Sequence, residues 1–267
     1  MTQLVRDLMH TGLITCPADA PLGEVARRLM EARVHALAVV DSRGSPQGII
    51  SDFDLLAGEW LSDDPGKLDT MRHLTAGELM SSPPQTIEAT ASAAEAAQRL
   101  LRDSIHRLLV IQDDQAVGVI SIGDLLVQLA RYPVRREMVA DVMSRGIVVC
   151  RAGTPLRAAA RAMTERRSRS VVVVDPSGQP LGVVTGWDLL ATCGEDCGDR
   201  LVDEVMHPPI TVSPTTTLGE AIDTMIRHHI HRLVVVDPDR PDTMPLGVIS
   251  TSDIFTEMAE PGSVWQR

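Results

Sequence analysis

Residues 118–124 read Gly-Val-Ile-Ser-Ile-Gly-Asp: a glycine precedes two apolar residues and a hydroxyl side chain, and an aspartate follows three residues later. The pattern occurs four times, at residues 48–54, 118–124, 182–188 and 247–253. Its four aspartates are Asp54, Asp124, Asp188 and Asp253. Because self-similarity at a regular period is the signature of a repeat architecture, the sequence predicts four tandem copies of one small unit.

A second recurring feature opens each copy, about 40 residues before the glycine: an acidic residue, an aliphatic residue and a methionine. The methionines are Met9, Met80, Met143 and Met206. Apolar residues at helical spacing follow, then a β-branched run such as residues 171–174, a turn and the glycine-initiated strand. With a first strand before this helix and a second helix after the aspartate, each unit is predicted to be strand, helix, strand, strand, helix, an α/β fold.

The predicted repeats cover residues 1–60, 75–132, 138–194 and 201–260, and the first linker, residues 59–74, is long and polar. A unit of about 55 residues buries only some 60 % of its unfolded surface and is marginal alone. We therefore expect the four units to pack as two pseudo-twofold pairs, residues 1–132 and 138–260.

The composition narrows the functional classes. The formal net charge is −11, with acidic and basic residues interspersed, which disfavours extended contact with nucleic acid. No apolar run approaches the roughly 20 residues that span a bilayer, and the first ten residues, MTQLVRDLMH, lack the apolar core of a signal peptide. These features predict a cytoplasmic protein without membrane association.

Four units of this order, each ending in Gly-apolar-apolar-Ser/Thr-x-x-Asp, resemble the cystathionine-β-synthase (CBS) domain over residues 3–132 and 138–259. The layout is similar to that of the nucleotide-binding subunit of AMP-activated protein kinase. The resemblance implies that two domains pack into a pair, called a Bateman module, with two clefts that can hold adenosine-containing ligands.

The resemblance also implies roles for residues of the motif. The aspartates Asp54, Asp124, Asp188 and Asp253 would hold the two ribose hydroxyls, since an ionised carboxylate accepts two hydroxyl hydrogen bonds. The hydroxyl residues would lie beside the sugar or phosphate; they are Ser51, Ser121, Thr185 and Ser250.

A further recurrent position lies 25 or 26 residues after the opening methionine and holds His35, His106, Arg169 and His231. The resemblance makes each a candidate phosphate ligand. The next residue is Arg107 in repeat 2 and Arg232 in repeat 4, but Ala36 in repeat 1 and Ser170 in repeat 3. A His-Arg pair at this position commonly contacts phosphate in the kinase subunit, so we expect one strong phosphate site in each pair of repeats.

Simpler interpretations remain for each motif. Ser/Thr-x-x-Asp is also a capping box for the second helix, and the basic residue could be solvated at a strand entrance. The cluster His228, His229 and His231 is a weak metal candidate, and Cys193 and Cys197 could form a redox pair on a flexible linker. Cys16 and Cys150 occupy equivalent strand positions and are expected in the core.

The sequence therefore predicts a regulatory sensor that is not an enzyme, needs no cofactor and forms a homodimer. Its ligand would be AMP, ADP or ATP, with S-adenosylmethionine, NAD or cyclic di-AMP also possible, and it would signal to a separate effector protein. The main alternative is an interaction scaffold with vestigial clefts. An enzyme would need a convergent nucleophile and base or a metal set, and a nucleic-acid binder would need a basic face.

Overall fold

The computed structural model describes residues 3–57, 65–129, 137–166, 168–193, 199–240 and 242–258. The chain forms two compact units. Unit 1 contains Met1–Leu13, Gln85–Gly146 and Ile210–Arg267, and unit 2 contains Ile14–Pro84 and Ile147–Pro209. Unit 1 thus combines repeats 2 and 4, whereas unit 2 combines repeats 1 and 3.

Repeat 1 begins with a 3-10 turn (Val5–Asp7) and strand β1 (His10–Thr11). It continues with β2 (Thr15–Pro17), α1 (Leu22–Ala32), β3 (Ala36–Val40), β4 (Pro46–Ser51) and α2 (Asp52–Ala57). The linker predicted to be merely polar contains α3 (Pro65–His73), whose Met71 is buried in the core of unit 2. The apolar spacing of this helix is too sparse to have revealed it.

Repeat 2 begins with the short helix α4 (Ala76–Leu79). It continues with β5 (Thr86–Glu88), α5 (Ala93–Arg102), β6 (Arg107–Gln112), β7 (Gln115–Ser121) and α6 (Ile122–Leu129). Repeat 3 comprises α7 (Val139–Val142), β8 (Val149–Arg151), α8 (Leu156–Glu165), β9 (Ser170–Val174), β10 (Pro180–Thr185) and α9 (Gly186–Cys193). Repeat 4 comprises a 3-10 turn (Val202–Glu204), β11 (Thr211–Val212), α10 (Leu218–His228), β12 (Arg232–Val235), β13 (Gly247–Ser250) and α11 (Thr251–Met258).

The same three-stranded sheet recurs in every repeat. Its central strand pairs parallel with the first strand and antiparallel with the last, as in β5-β6-β7. A parallel pair needs a crossover connection, which the first helix of the repeat supplies. The predicted α/β fold with two pairs of repeats is confirmed; the packing of consecutive repeats into modules 1–132 and 138–260, and the repeat boundaries, stay predictions.

An aliphatic core explains why two repeats combine in each unit. On α1 the residues Leu22, Val25, Ala26 and Leu29 are buried, at the helical spacing seen in the sequence. In unit 1 the repeats exchange core residues: Phe255 of α11 packs into the repeat 2 cluster, and Leu126 of α6 packs into the repeat 4 cluster. The second helices therefore complete each other's cores, as the small size of one repeat requires.

Consecutive repeats exchange their opening segments, meaning the residues that follow each recurrent methionine: repeat 1 with repeat 2, and repeat 3 with repeat 4. Strand β1 adds to the edge of β7, with His10 opposite Val119 and Thr11 opposite Gly118. The other three openings form equivalent bridges, which are Ile49 with Ser81, Ser144 with Val248, and Val183 with His207. The opening of one repeat therefore covers the last strand of another repeat.

The exchange explains why a methionine and a glycine recur in all four copies. A Cβ atom at Gly182 would lie 2.6 Å from the sulfur of Met206, and one at Gly247 would lie 2.7 Å from the carbonyl oxygen of Ser144. Only glycine admits the opening segment so closely, because real Cβ atoms do not approach other heavy atoms at these distances.

We predict that Gly247→Ala destabilises the protein by about 1–3 kcal/mol, since the added methyl group overpacks a backbone contact that cannot move alone. The matched control is Gly146→Ala, because a Cβ atom there meets nothing within 4 Å. The measurement is the midpoint of urea unfolding. Equal midpoints for the two variants would contradict the close approach of the opening segment.

Candidate functional site

All four motif aspartates form capping boxes at the start of the second helix. In repeat 2, Oδ2 of Asp124 accepts the backbone N–H of Ser121 at 2.7 Å and its hydroxyl at 2.7 Å. The Asp124 N–H in turn donates to the Ser121 hydroxyl at 3.4 Å. The same bonds recur in the pairs Ser51 with Asp54, Thr185 with Asp188, and Ser250 with Asp253. The hydrogen bonds of a capping box are therefore present in all four repeats. Any ligand role of the aspartates must be compatible with these bonds.

The second carboxylate oxygen is contacted by an opening segment. Nε2 of His10 lies 2.8 Å from Oδ1 of Asp124, and Nε2 of His207 lies 2.9 Å from Oδ1 of Asp188. In repeat 4 the donor is the hydroxyl of Ser144, 3.0 Å from Oδ1 of Asp253. Sequence reasoning missed these contacts, although all three donors directly follow an opening methionine.

These contacts limit how the aspartates could bind a ribose. A carboxylate offers about four lone-pair sites. On Asp124 the cap occupies two sites of Oδ2 and His10 occupies one of Oδ1, so two further hydroxyls fit only if His10 moves. The imidazole is free to do so, since the His10 side chain is 82 % exposed. The ribose role of the four aspartates stays a prediction.

The recurrent basic residues lie beside the motif in all four repeats. The carbonyl oxygen of each accepts the N–H of the first residue of the second helix, at 3.0–3.2 Å; the acceptors are His35, His106, Arg169 and His231. In the sheet, Arg107 lies opposite Ser121, and Arg232 lies opposite Ser250. The structure thus places the predicted phosphate and sugar residues side by side.

In unit 1 one recurrent basic residue lies beside the motif of the other repeat. The point where a Cβ atom of Gly123 would lie is 3.6 Å from the Ser121 hydroxyl oxygen and 3.7 Å from Cε1 of His231. The imidazole of repeat 4 therefore lies over the first turn of α6 in repeat 2. The small residue Gly123 leaves room beside it, and the equivalent residue of repeat 4 is the small Ser252.

In unit 2 aromatic rings fill the equivalent positions. The ring of His35 meets Trp187 edge-on at 5.0 Å between centroids, and the guanidinium of Arg169 lies 4.8 Å from the centre of the Phe53 ring. Burial lowers the pKa of Arg169 below its usual value. The negative charges of Asp52 and Asp54 oppose this shift but are the smaller effect. The two units therefore have different side chains at equivalent backbone positions.

The remaining candidates form no site among the described residues. Cys16 is buried in β2, and burial raises the pKa of its thiol to about 11, which fits a core role. Only the backbone of Cys193 is described, and Cys197 lies outside the described residues. The described part of the chain holds no cluster of three or more potential metal ligands around His228 or elsewhere, and none of its helices is long and apolar enough to cross a membrane.

Comparison with known proteins shows the family to which this chain belongs. The sequence pattern of the CBS domain matches residues 5–59, 76–131, 139–195 and 202–260. A protein of Methanocaldococcus jannaschii is 23 % identical over 97 % of this chain and 63 % of its own length. The γ-3 subunit of pig 5′-AMP-activated protein kinase is 27 % identical over 64 % of this chain and 37 % of that subunit. The chain thus spans less than two thirds of either relative.

A crystal structure shares the fold. It is that of a second M. jannaschii protein, described as a suggested archaeal homologue of the γ subunit of AMP-activated protein kinase. It superposes with a TM-score of 0.80 at 20 % identity and covers 95 % of this chain and 99 % of that one. At this identity the likeness establishes the fold with its four repeats and leaves the ligand open.

We predict that Thr185→Val destabilises the protein by about 0.5–2 kcal/mol, because it removes the hydroxyl that caps α9 and bonds Asp188. Thr211→Val is the matched control, since Thr211 is exposed in β11. Urea unfolding monitored by circular dichroism measures both variants. A change at Thr185 no larger than that at Thr211 would show that the capping box contributes no stability.

Proposed function

Because the chain belongs to the CBS domain family, we propose that it is a regulatory sensor that binds an adenosine-containing nucleotide through its phosphate at unit 1. The observation that carries the proposal is that each repeat of unit 1 has a His-Arg pair beside the start of its second helix, and that His231 of repeat 4 also lies over the first turn of α6 in repeat 2. Those pairs are His106-Arg107 and His231-Arg232. AMP, ADP and ATP are the first ligands to test, followed by S-adenosylmethionine, NAD and cyclic di-AMP.

The chemistry of the site suits an anion. Arg107 and Arg232 are half-buried, and a guanidinium binds phosphate through two parallel N–H···O bonds. The N-terminal ends of α6 and α11 add the positive end of a helix dipole. The adenosine part of the ligand is supported by family resemblance and by the pig relative, which is a subunit of a kinase activated by 5′-AMP.

The position of the site suits regulation. A ligand that contacts both repeats of unit 1 acts on the packing of α6 against α11, which exchange core residues. Binding changes the population of a state only where the affinities for two states differ. We expect the change to be read by a separate effector protein, by a homodimer partner or by both.

We expect no turnover of the nucleotide. The motif hydroxyls do lie beside carboxylates, but those pairs form the capping boxes of the second helices. The family resemblance implies a regulatory role rather than catalysis.

One observation favours a second candidate function, an interaction scaffold without a ligand. The oxygens of Asp124, Asp188 and Asp253 already accept three hydrogen bonds each from the protein, so the motif is satisfied without a sugar. A scaffold would keep these residues for stability alone.

The first test is a thermal-shift panel of the six ligands on the intact protein, followed by titration of the best ligand. Arg107→Ala combined with Arg232→Ala should weaken binding about 10- to 100-fold or more, because charge-assisted hydrogen bonds are lost. Arg227→Ala is the control for each of the two single variants, since it removes one positive charge from the exposed last turn of α10 in the same unit. No response to any ligand, or equal loss in the control, would contradict nucleotide binding at unit 1.

A second test separates the sensor from the scaffold. Asp253→Asn keeps the shape of the side chain but removes the charge, and we expect it to weaken nucleotide binding about 10-fold or more. Thr217→Ala removes a capping box of the same kind from α10. If both variants lower the unfolding midpoint and neither changes the affinity measured by calorimetry, the aspartate acts only as a cap.

A further inference from the structure

The first residue after the motif hydroxyl differs in repeat 1. That residue is Asp52, whereas the other repeats carry the uncharged Ile122, Gly186 and Thr251. Its side chain is only 12 % exposed. A carboxylate at this position needs an explanation, because burying a charge is unfavourable unless the charge is paired.

The carboxylate is paired with the basic position of its own repeat. Oδ2 of Asp52 lies 2.8 Å from Nδ1 of His35, and Oδ1 accepts the N–H of Phe53 at 2.9 Å. The backbone N–H of Asp52 also donates to the carbonyl oxygen of His35, at 3.2 Å. Asp52 therefore occupies the immediate surroundings of the residue that corresponds to a phosphate ligand candidate in unit 1.

The second basic residue of unit 2 feels the same charge. Arg169, from repeat 3, is half-buried over the ring of Phe53, and Asp52 and Asp54 are the negative groups that act on its guanidinium. The sites of the two units consequently differ in charge. Unit 1 has two arginines, two histidines and two motif aspartates, whereas unit 2 has one arginine, one histidine and three aspartates at the equivalent positions.

We propose that Asp52 takes the place of a phosphate group in unit 2, pairs with His35, offsets the charge of Arg169, and thereby confines anion binding to unit 1. Asp52 is then the residue that determines which unit accepts a nucleotide. This assignment rests on the proposed function for the choice of unit 1, but the exclusion of anions from unit 2 can be tested separately.

The test uses Trp187, which contacts His35, as a local fluorescent reporter. The chain has three tryptophans, so Trp60→Phe and Trp265→Phe leave Trp187 alone. Arg107→Ala and Arg232→Ala are added to remove the candidate anion ligands of unit 1. Pyrophosphate is the probe, because it carries phosphate charge without adenosine.

With Asp52 present, we expect no saturable change in Trp187 emission on titration with pyrophosphate. Asp52→Asn should produce a saturable change, with a half-saturation concentration at least 10-fold below that of any response of the parent. Asp52→Thr, which copies the residue of repeat 4, should do the same. Asp19→Asn is the control for charge, because Asp19 is an exposed acid of unit 2, and it should behave as the parent.

Two results would overturn the assignment: a parent protein that responds as Asp52→Asn does, or folded Asp52→Asn and Asp52→Thr proteins that both stay silent. Circular dichroism melting identifies the folded variants. Failure of the nucleotide panel on the unmodified chain would instead reject the proposed function. The pyrophosphate titration would still test whether Asp52 excludes anions from unit 2.

Discussion

The close approach of an opening segment to a motif glycine is the constraint on which the rest of this structure depends. Within a single repeat the last strand would have an unpaired edge. The opening of another repeat covers that edge. An exposed edge is a site for unwanted pairing, and a core of about 55 residues is too small to be stable alone. The exchange answers both problems. It also carries His10, Ser144 and His207 to the motif aspartates.

The motif caps the second helix with the same atoms that the proposed function assigns to ligand binding. The capping box fixes the orientation of each carboxylate through two short bonds from one Ser or Thr. A carboxylate held in this way is preorganised, because its rotamer is already determined before any ligand arrives. Structural and ligand roles therefore do not compete for the residue, but they do compete for lone pairs. Under the proposed function, a ribose at Asp124 would therefore compete with His10 for the carboxylate.

One backbone arrangement supports two chemical environments. In unit 1, His231 of repeat 4 lies over the first turn of α6 in repeat 2, where Gly123 leaves space. In unit 2 the ring of Phe53 contacts Arg169, and the ring of Trp187 contacts His35. Asp52 adds a negative charge beside His35. Duplication supplies the geometry, and a few side chains give the two units different charges at the equivalent positions.

The sequence by itself determined the repeat, the order of elements within it and the position of the motif beside the basic residue. These features follow from local spacing, since helical and strand periodicity need no distant partner. Only the tertiary structure decided that repeat 1 joins repeat 3, that repeat 2 joins repeat 4, and that the openings are exchanged. It alone revealed α3, the contact of Ser144 with Asp253, and the pairing of Asp52 with His35. Four similar edges and four similar openings permit several pairings, and long-range packing selects one of them.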